Sequence, residues 1–131
     1  ELTVSFTSDL RAFSQTAINN TEQVYRGSAF GIIRQIIRRT PVDTGRLRGN
    51  WQSDINSPAT GTTNRLGSSV STSEALSVCN RADLSDSIYF TNNLAYALDI
   101  EDGSSTQAPR GMVKVTVLEF VRTVNQQASR L

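Results

Sequence analysis

Histidine is absent from this 131-residue chain, and cysteine, lysine, methionine and tryptophan each occur once. Without histidine the chain lacks the commonest general base near neutral pH and the commonest ligand for transition metals. A zinc site would need carboxylates and one thiolate, a poor donor set for that ion. A single cysteine, Cys79, excludes an internal disulfide, so folding does not rest on oxidation. In the run Ala75-Leu76-Ser77-Val78-Cys79, with no imidazole to activate it, Cys79 reads as a small buried apolar residue rather than a reactive thiol. No segment approaches the roughly twenty apolar residues that span a bilayer. The first residues lack the basic start and apolar run of a signal peptide. The expectation is a soluble chain made in the cytosol, with no cofactor, no metal and no membrane partner.

Net charge is only +1, so there is no global electrostatic case for nucleic acid. The thirteen basic residues are nonetheless skewed: all but Lys114 are arginine, whose planar fork suits interfaces and ion pairs better than lysine does. The length fits one domain, residues 1–131, able to bury about two-thirds of its unfolded surface without staples. No glycine-rich phosphate loop and no serine in a nucleophile-elbow pattern is present.

What is present is a pattern of periodic segments. Leu2 to Phe6 alternates and reads as a short strand or an extended arm, with Thr7 or Ser8 as an N-cap and Asp9 in the first turn. Leu10, Phe13, Ala17, Val24, Ala29, Ile32, Ile33, Ile36 and Ile37 recur mostly at three- and four-residue steps, which predicts one long amphipathic helix over about 8–39. Gly27 and Gly31 either weaken it or admit another backbone closely. Arg34, Arg38 and Arg39 suit its C-terminal dipole, and Thr40-Pro41 stops it. Beyond the turn Asp43-Thr44-Gly45, an alternating run puts Leu47, Gly49, Trp51, Ser53 and Ile55 on one face of a strand. Arg46, Arg48, Asn50, Gln52 and Asp54 fall on the other.

Residues 56–73 read as a flexible Ser/Thr/Gly-rich loop, either functional or ordered only on binding. A short helix over Glu74 to Arg81, capped by Ser73, should come after it. Next come a turn at Asp83 to Ser87, a strand at Ile88 to Thr91, and a turn or two of helix from Leu94 to Ile100. Val113, Val117, Val121, Val124, Ala128 and Leu131 fit one face of a last helix over about 110–129. The fold class is α+β: a small antiparallel sheet with a long N-terminal helix and a C-terminal helix packed on one face.

Two groups invite chemistry. Asp99, Glu101 and Asp102 cluster, as do Asp83 and Asp86; paired carboxylates do acid–base work or hold a divalent cation, and the plainer reading is a solvated loop. Arg34, Arg38, Arg46 and Arg48 surround the Pro41 joint and would form a basic patch, with Trp51 or Tyr89 to stack a base. The alternation sends Trp51 away from Arg46 and Arg48, toward the core. The arginines then serve ion pairs across subunits, with Asp43 or Glu101 as partners.

Three blocks, in this order, resemble a family of tailed-bacteriophage neck and tail-completion proteins. They are Thr40-Pro-Val-Asp-Thr-Gly-Arg-Leu-Arg-Gly-Asn-Trp51, Ile88-Tyr-Phe-Thr-Asn-Asn-Leu-Ala-Tyr-Ala97, and Glu101-Asp-Gly-Ser104 with Gln107-Ala-Pro-Arg-Gly-Met-Val113 after it. The resemblance covers most of residues 8–130. It implies a virion structural protein at the head–tail junction, assembled in the host cytoplasm as a homo-oligomeric ring, a hexamer or dodecamer, around the DNA channel. Its implied partners are further copies of itself, other neck and tail proteins, and the passing viral DNA. It implies no catalytic residue. Pro41, Asp43, Thr44, Gly45 and Leu47 carry over as the joint, with Tyr96, Glu101, Gly103, Gln107, Ala108 and Pro109 as a second loop. A closed ring needs one patch to meet a different patch on the next copy. The Arg46/Arg48 face and the acids Asp99, Glu101 and Asp102 are complementary candidates. The alternatives are a tail-terminator protein capping the tube and, in another class, a nucleic-acid-binding module using the arginine patch.

Overall fold

The computed structural model describes the backbone of residues 2–131 and the side chains of residues 11, 12 and 14–131. Helix α1 runs from Leu2 to Arg39. The expected strand and N-cap near its start are therefore helix instead, because extending an existing helix is easier than the short alternation is persuasive. The stop at Thr40-Pro41 is where the sequence puts it. Thr40 Oγ1 donates back to the Ile36 carbonyl at 2.7 Å, and Thr40 N to the Ile37 carbonyl at 3.1 Å.

The chain then reverses at Gly45, whose φ of +84° is open to glycine at no steric cost. The residues just past this reversal are not yet a strand. Arg46–Gly49 forms one helical turn, α2, closed by Gly49 N to Gly45 O at 3.0 Å and Asn50 N to Arg46 O at 3.1 Å. The expected strand loses its first half to this turn because Leu47 and Gly49 can face the core from either geometry. Strand β1, Trp51–Ile55, pairs antiparallel with β2, Ile88–Asn92, in the register Trp51↔Asn92, Ser53↔Phe90 and Ile55↔Ile88. Those pairs share one face. Trp51, 5 % exposed, stacks on Phe90 with ring centroids 4.7 Å apart and planes 10° from parallel.

A two-stranded sheet is marginal by itself. Here the outer edge of β1 is occupied by an ion pair. Arg65 Nη1 meets Glu74 Oε2 at 2.9 Å; Glu74 Oε1 accepts the Ser53 N–H at 2.9 Å, and Arg65 donates to the carbonyls of Trp51 and Gly49. Two side chains thus do what a third strand would. Helix α3, Ser69–Arg81, begins five residues before the expected helix over 74–81, so the stretch foreseen as loop over 56–73 is partly helical. Serine and threonine read as loop because they bond their own backbone. Burial of Ser71, Ala75, Val78 and Cys79 along one helical face overrides that preference.

Cys79 is fully buried, and desolvation pushes its thiol up to about 11, so it is inert. It sits in a core with Ile33, Ile36 and Ile37 of α1, Leu47, Trp51, Leu94 and Met112. The fold is α+β, with the long N-terminal helix, the two-stranded antiparallel sheet and helices at the C-terminal end.

That end departs from expectation in an instructive way. The single helix over 110–129 is two, α5 (Val113–Leu118) and α6 (Phe120–Ala128), broken at Glu119. Its valine face is not the buried one: Val117 and Val121 are 57 % and 67 % exposed, while Thr116 and Thr123 are buried. The seam explains this. Glycines on α1 bring α6 close, a Cβ on Gly31 lying 3.1 Å from Thr123 Cγ2 and one on Gly27 running into the Gln127 amide. Arg39 reaches over the same seam to Thr116 Oγ1 at 2.8 Å and Glu119 Oε1 at 2.9 Å. A close, partly polar seam takes threonine rather than valine.

Gly31→Val should push α6 off α1 and cost about 1–3 kcal/mol in urea unfolding, the range for overpacking a tight contact. Gly27→Ala meets only the end of the Gln127 side chain, which can swing aside, and gains up to about 1 kcal/mol of helix propensity, so it should be neutral or stabilising. Equal losses at both glycines would contradict a close approach specific to Gly31.

Candidate functional site

Trp51 and Thr40 lock the joint. The indole Nε1 donates to Thr40 Oγ1 at 2.8 Å, the same hydroxyl that donates to Ile36. Asn50, fully buried, is satisfied by the Arg46 and Thr63 carbonyls through Nδ2 and by the Thr63 N–H through Oδ1. Gly67 N donates to Gly45 O at 2.8 Å, which ties the loop after β1 back to the turn.

Arg48 is bonded within the subunit. Its Nε donates to the Thr40 carbonyl at 2.8 Å and its Nη2 to the Arg38 carbonyl at 3.0 Å. These groups lie at the end of α1, where carbonyls lack partners inside the helix. Placed on α2 rather than on a strand, Arg48 turns inward and caps the helix that precedes it. Arg34, Arg38 and Arg46 remain exposed, and none has an acidic partner among the described residues.

Glu101 also turns inward. It closes the short helix α4, Ala97–Glu101, and its carboxylate accepts the backbone N–H groups of Met112 at 2.7 Å, Val113 at 2.8 Å and Lys114 at 2.9 Å. It thereby caps the start of α5, a favourable place for an anion. Burial alone would raise its pKa, but the three donors outweigh that and hold the carboxyl below its ordinary value. Asp99 and Asp102 stay exposed; Asp102 meets Lys114 only at 3.9 Å. The acidic trio is thus one structural cap and two solvated carboxylates.

The second loop and the joint, some sixty residues apart in sequence, meet. The Gln107 amide grips Val42 on both sides, Oε1 accepting the Val42 N–H at 2.9 Å and Nε2 donating to the Val42 carbonyl at 3.2 Å. Pro41 to Leu47, Tyr96, Ile100 and Gln107 line one cleft of about 250 Å³. Beside it Ala108 is buried, and Gly103, at φ +96°, leaves a carbonyl of Pro109 where a Cβ would stand 2.6 Å away. The joint and second-loop residues occupy one region, with Trp51 beneath it in the core.

The acids at Asp83 and Asp86 form a turn. Asp83 Oδ1 accepts from Ser85, whose hydroxyl and N–H hold that carboxyl below its ordinary value; Asp86 Oδ2 accepts the Asp83 N–H. Tyr25 Oη and Arg26 Nε of α1 donate to the Asp86 and Ala82 carbonyls, both at 2.6 Å. These ties escape sequence reasoning, as does the Arg65–Glu74 pair. The only hint is a lone arginine in a stretch of small polar residues, nine before a glutamate. Among the described residues no group of cysteine, aspartate and glutamate side chains is placed to hold a metal ion, and no helix is long and apolar enough to cross a membrane. Comparison with family models, with curated proteins and with solved structures finds no match for this chain.

Glu101→Gln should cost about 1–2 kcal/mol at pH 7, the lower part of the range for hydrogen bonds to a charged group because this one is partly solvated. A carboxyl with a depressed folded-state pKa contributes its full stability above the ordinary glutamate value of 4.5 and loses it as pH falls through the folded value. The gap between wild type and variant should therefore hold from pH 7 to about 5 and narrow below 4.5. Urea titrations at both ends check this; a gap that widens in acid contradicts the cap.

Proposed function

We propose that the protein is a structural subunit of a tailed-phage head–tail junction, a neck or tail-completion protein that assembles as a homo-oligomeric ring around the DNA channel. The observation that carries this reading is the meeting of joint and second loop through the Gln107 grip on Val42. Two of the blocks that carry the resemblance lie far apart in sequence and line one cleft, which is what two parts of a single joint would do. The proposed role is structural rather than catalytic; in keeping with it, Glu101 serves as a helix cap and Asp83 and Asp86 form a turn.

The surface is compatible with a ring. Three arginines, Arg34, Arg38 and Arg46, stand without acidic partners among the described residues, and Asp99 and Asp102 are exposed. Two different complementary patches are what a heterologous, ring-closing contact requires. A tail-terminator role uses the same surface. The nucleic-acid reading retains the three arginines and the half-exposed Tyr89, but loses Arg48 to the helix cap and Trp51 to the core.

Light scattering should give a mass of six or twelve copies of the 14.3 kDa chain. Arg46→Glu should lower that mass while the variant keeps the helical circular-dichroism signal of a folded subunit, because surface substitutions usually change a subunit's own stability by no more than about 0.5 kcal/mol. A chain that remains at 14.3 kDa at every concentration refutes the ring. Affinity for DNA that falls steeply with salt in a monomeric protein would favour the nucleic-acid reading instead.

A further inference from the structure

The two edges of the sheet are finished differently. In an antiparallel strand the N–H and C=O of one residue point to the same side, and the side alternates along the chain. The Ser53 N–H and the Trp51 carbonyl point outward from β1, to Glu74 and Arg65. Gln52 and Asp54 therefore face β2, and Asn56 continues that side with its N–H on the Ser87 carbonyl at 2.7 Å. Opposite Gln52 and Asp54 in the register stand Thr91 and Tyr89. The main-chain groups of Ile88, Phe90 and Asn92 then point away from β1.

At the Ile88 end the Tyr25 hydroxyl of α1 stands against the strand, donating to the Asp86 carbonyl. Beyond it, the N–H and C=O of Phe90 and Asn92 have no hydrogen-bond partner among the described residues. No counterpart of the Arg65–Glu74 pair covers them. The strand, Ile-Tyr-Phe-Thr-Asn, also lacks the charge or proline that commonly blunts an edge.

This edge borders an apolar groove of about 560 Å³. Val24, Ile32 and Ile36 of α1, Phe120 of α6, and Ile88 and Phe90 of β2 line it. In its α1 wall the Ser28 hydroxyl is 6 % exposed and has no hydrogen-bond partner. An extended backbone is the shape that meets N–H and C=O groups at strand spacing, and its alternate side chains would enter the groove. We propose that the open edge of β2 receives, as an added strand, an extended segment of a different protein that is apolar at alternate positions.

The described residues of this chain hold no such segment to lend to another copy. Leu2 to Phe6, which alternates, lies within α1. The loop over 57–67 is mostly small and polar, and it is tied down by Gln52 to the Gly61 carbonyl, Thr63 to Asn50 and Gly67 to Gly45. The β2 of a second copy has no apolar side chain to give, because its Phe90 is stacked on its own Trp51 and its Ile88 lines its own groove. The proposal goes beyond the head–tail reading and does not rest on it.

The test uses amide hydrogen exchange and a short synthetic peptide of alternating valine and threonine, ended in lysines. In the free protein the Phe90 amide should exchange readily while those of Tyr89 and Thr91 are protected, and the peptide should protect Phe90. Two further peptides carry N-methyl groups on the valine amides or on the threonine amides. Only one of these sets faces β2, so one peptide should bind more weakly by about tenfold or more and the other as the parent does. Equal binding by all three makes the groove a merely apolar site and overturns the proposal, as does no binding of the parent up to its solubility limit. A Phe90 amide already as protected as its neighbours in the monomer overturns it too. Protection that appears only on self-assembly makes a second copy the occupant, which overturns the proposal and leaves the ring standing. Edge pairing by a protein that scatters as a monomer supports the proposal and refutes the ring.

Discussion

One hydroxyl holds the end of the long helix and the start of the sheet together. Thr40 Oγ1 donates to the Ile36 carbonyl and accepts from the Trp51 indole, both inside the core. Because a hydroxyl has one proton and two lone pairs, it can do both at once. The direction in which α1 stops thereby sets where Trp51 lies. Trp51 in turn stacks on Phe90 and settles β2 beside β1. Arg48 adds a second tie from the intervening turn to the same helix end. The Arg65–Glu74 pair can replace a third strand only because β1 is already placed.

Features governed by local rules were legible in the sequence. Pro41 ends the helix, the β-branched and aromatic run at Ile88 makes a strand, and Trp51 faces inward. Features governed by what approaches from elsewhere were not. Leu47 and Gly49 alternate equally well in a strand or in one helical turn, and that ambiguity reversed the side on which Arg48 lies. Valines at helical spacing mark a face as apolar, yet at Gly31 α6 comes so near that a Cβ would stand 3.1 Å from Thr123 Cγ2, and threonine rather than valine fills the seam. Glu101 looked like one of three loop acids, and only the return of the chain at Met112 makes it a cap. Of the candidate site, the joint and the second loop were each legible, but the hydrogen bonds between Gln107 and Val42 were not, because nothing local links positions so far apart.

The charged residues divide accordingly. Arg39, Arg48, Arg65, Glu74 and Glu101 act within the subunit, satisfying carbonyls and N–H groups that secondary structure leaves over, or pairing across a seam. Among the described residues Arg34, Arg38, Arg46 and Asp99 have no such side-chain partner, and they lie on the surface with Val117 of α5 and Val121 of α6. What the subunit does not use for itself is thus both charged and apolar, a composition suited to contact with further copies.

The claim that the Thr40–Trp51 contact joins helix to sheet is tested most directly by a double-mutant cycle in urea unfolding. Thr40→Val removes the hydroxyl, and Trp51→Phe removes the N–H while keeping a ring over Phe90. The double variant should lose less than the sum of the single losses, by about 1 kcal/mol or more. Strictly additive losses would contradict the joint.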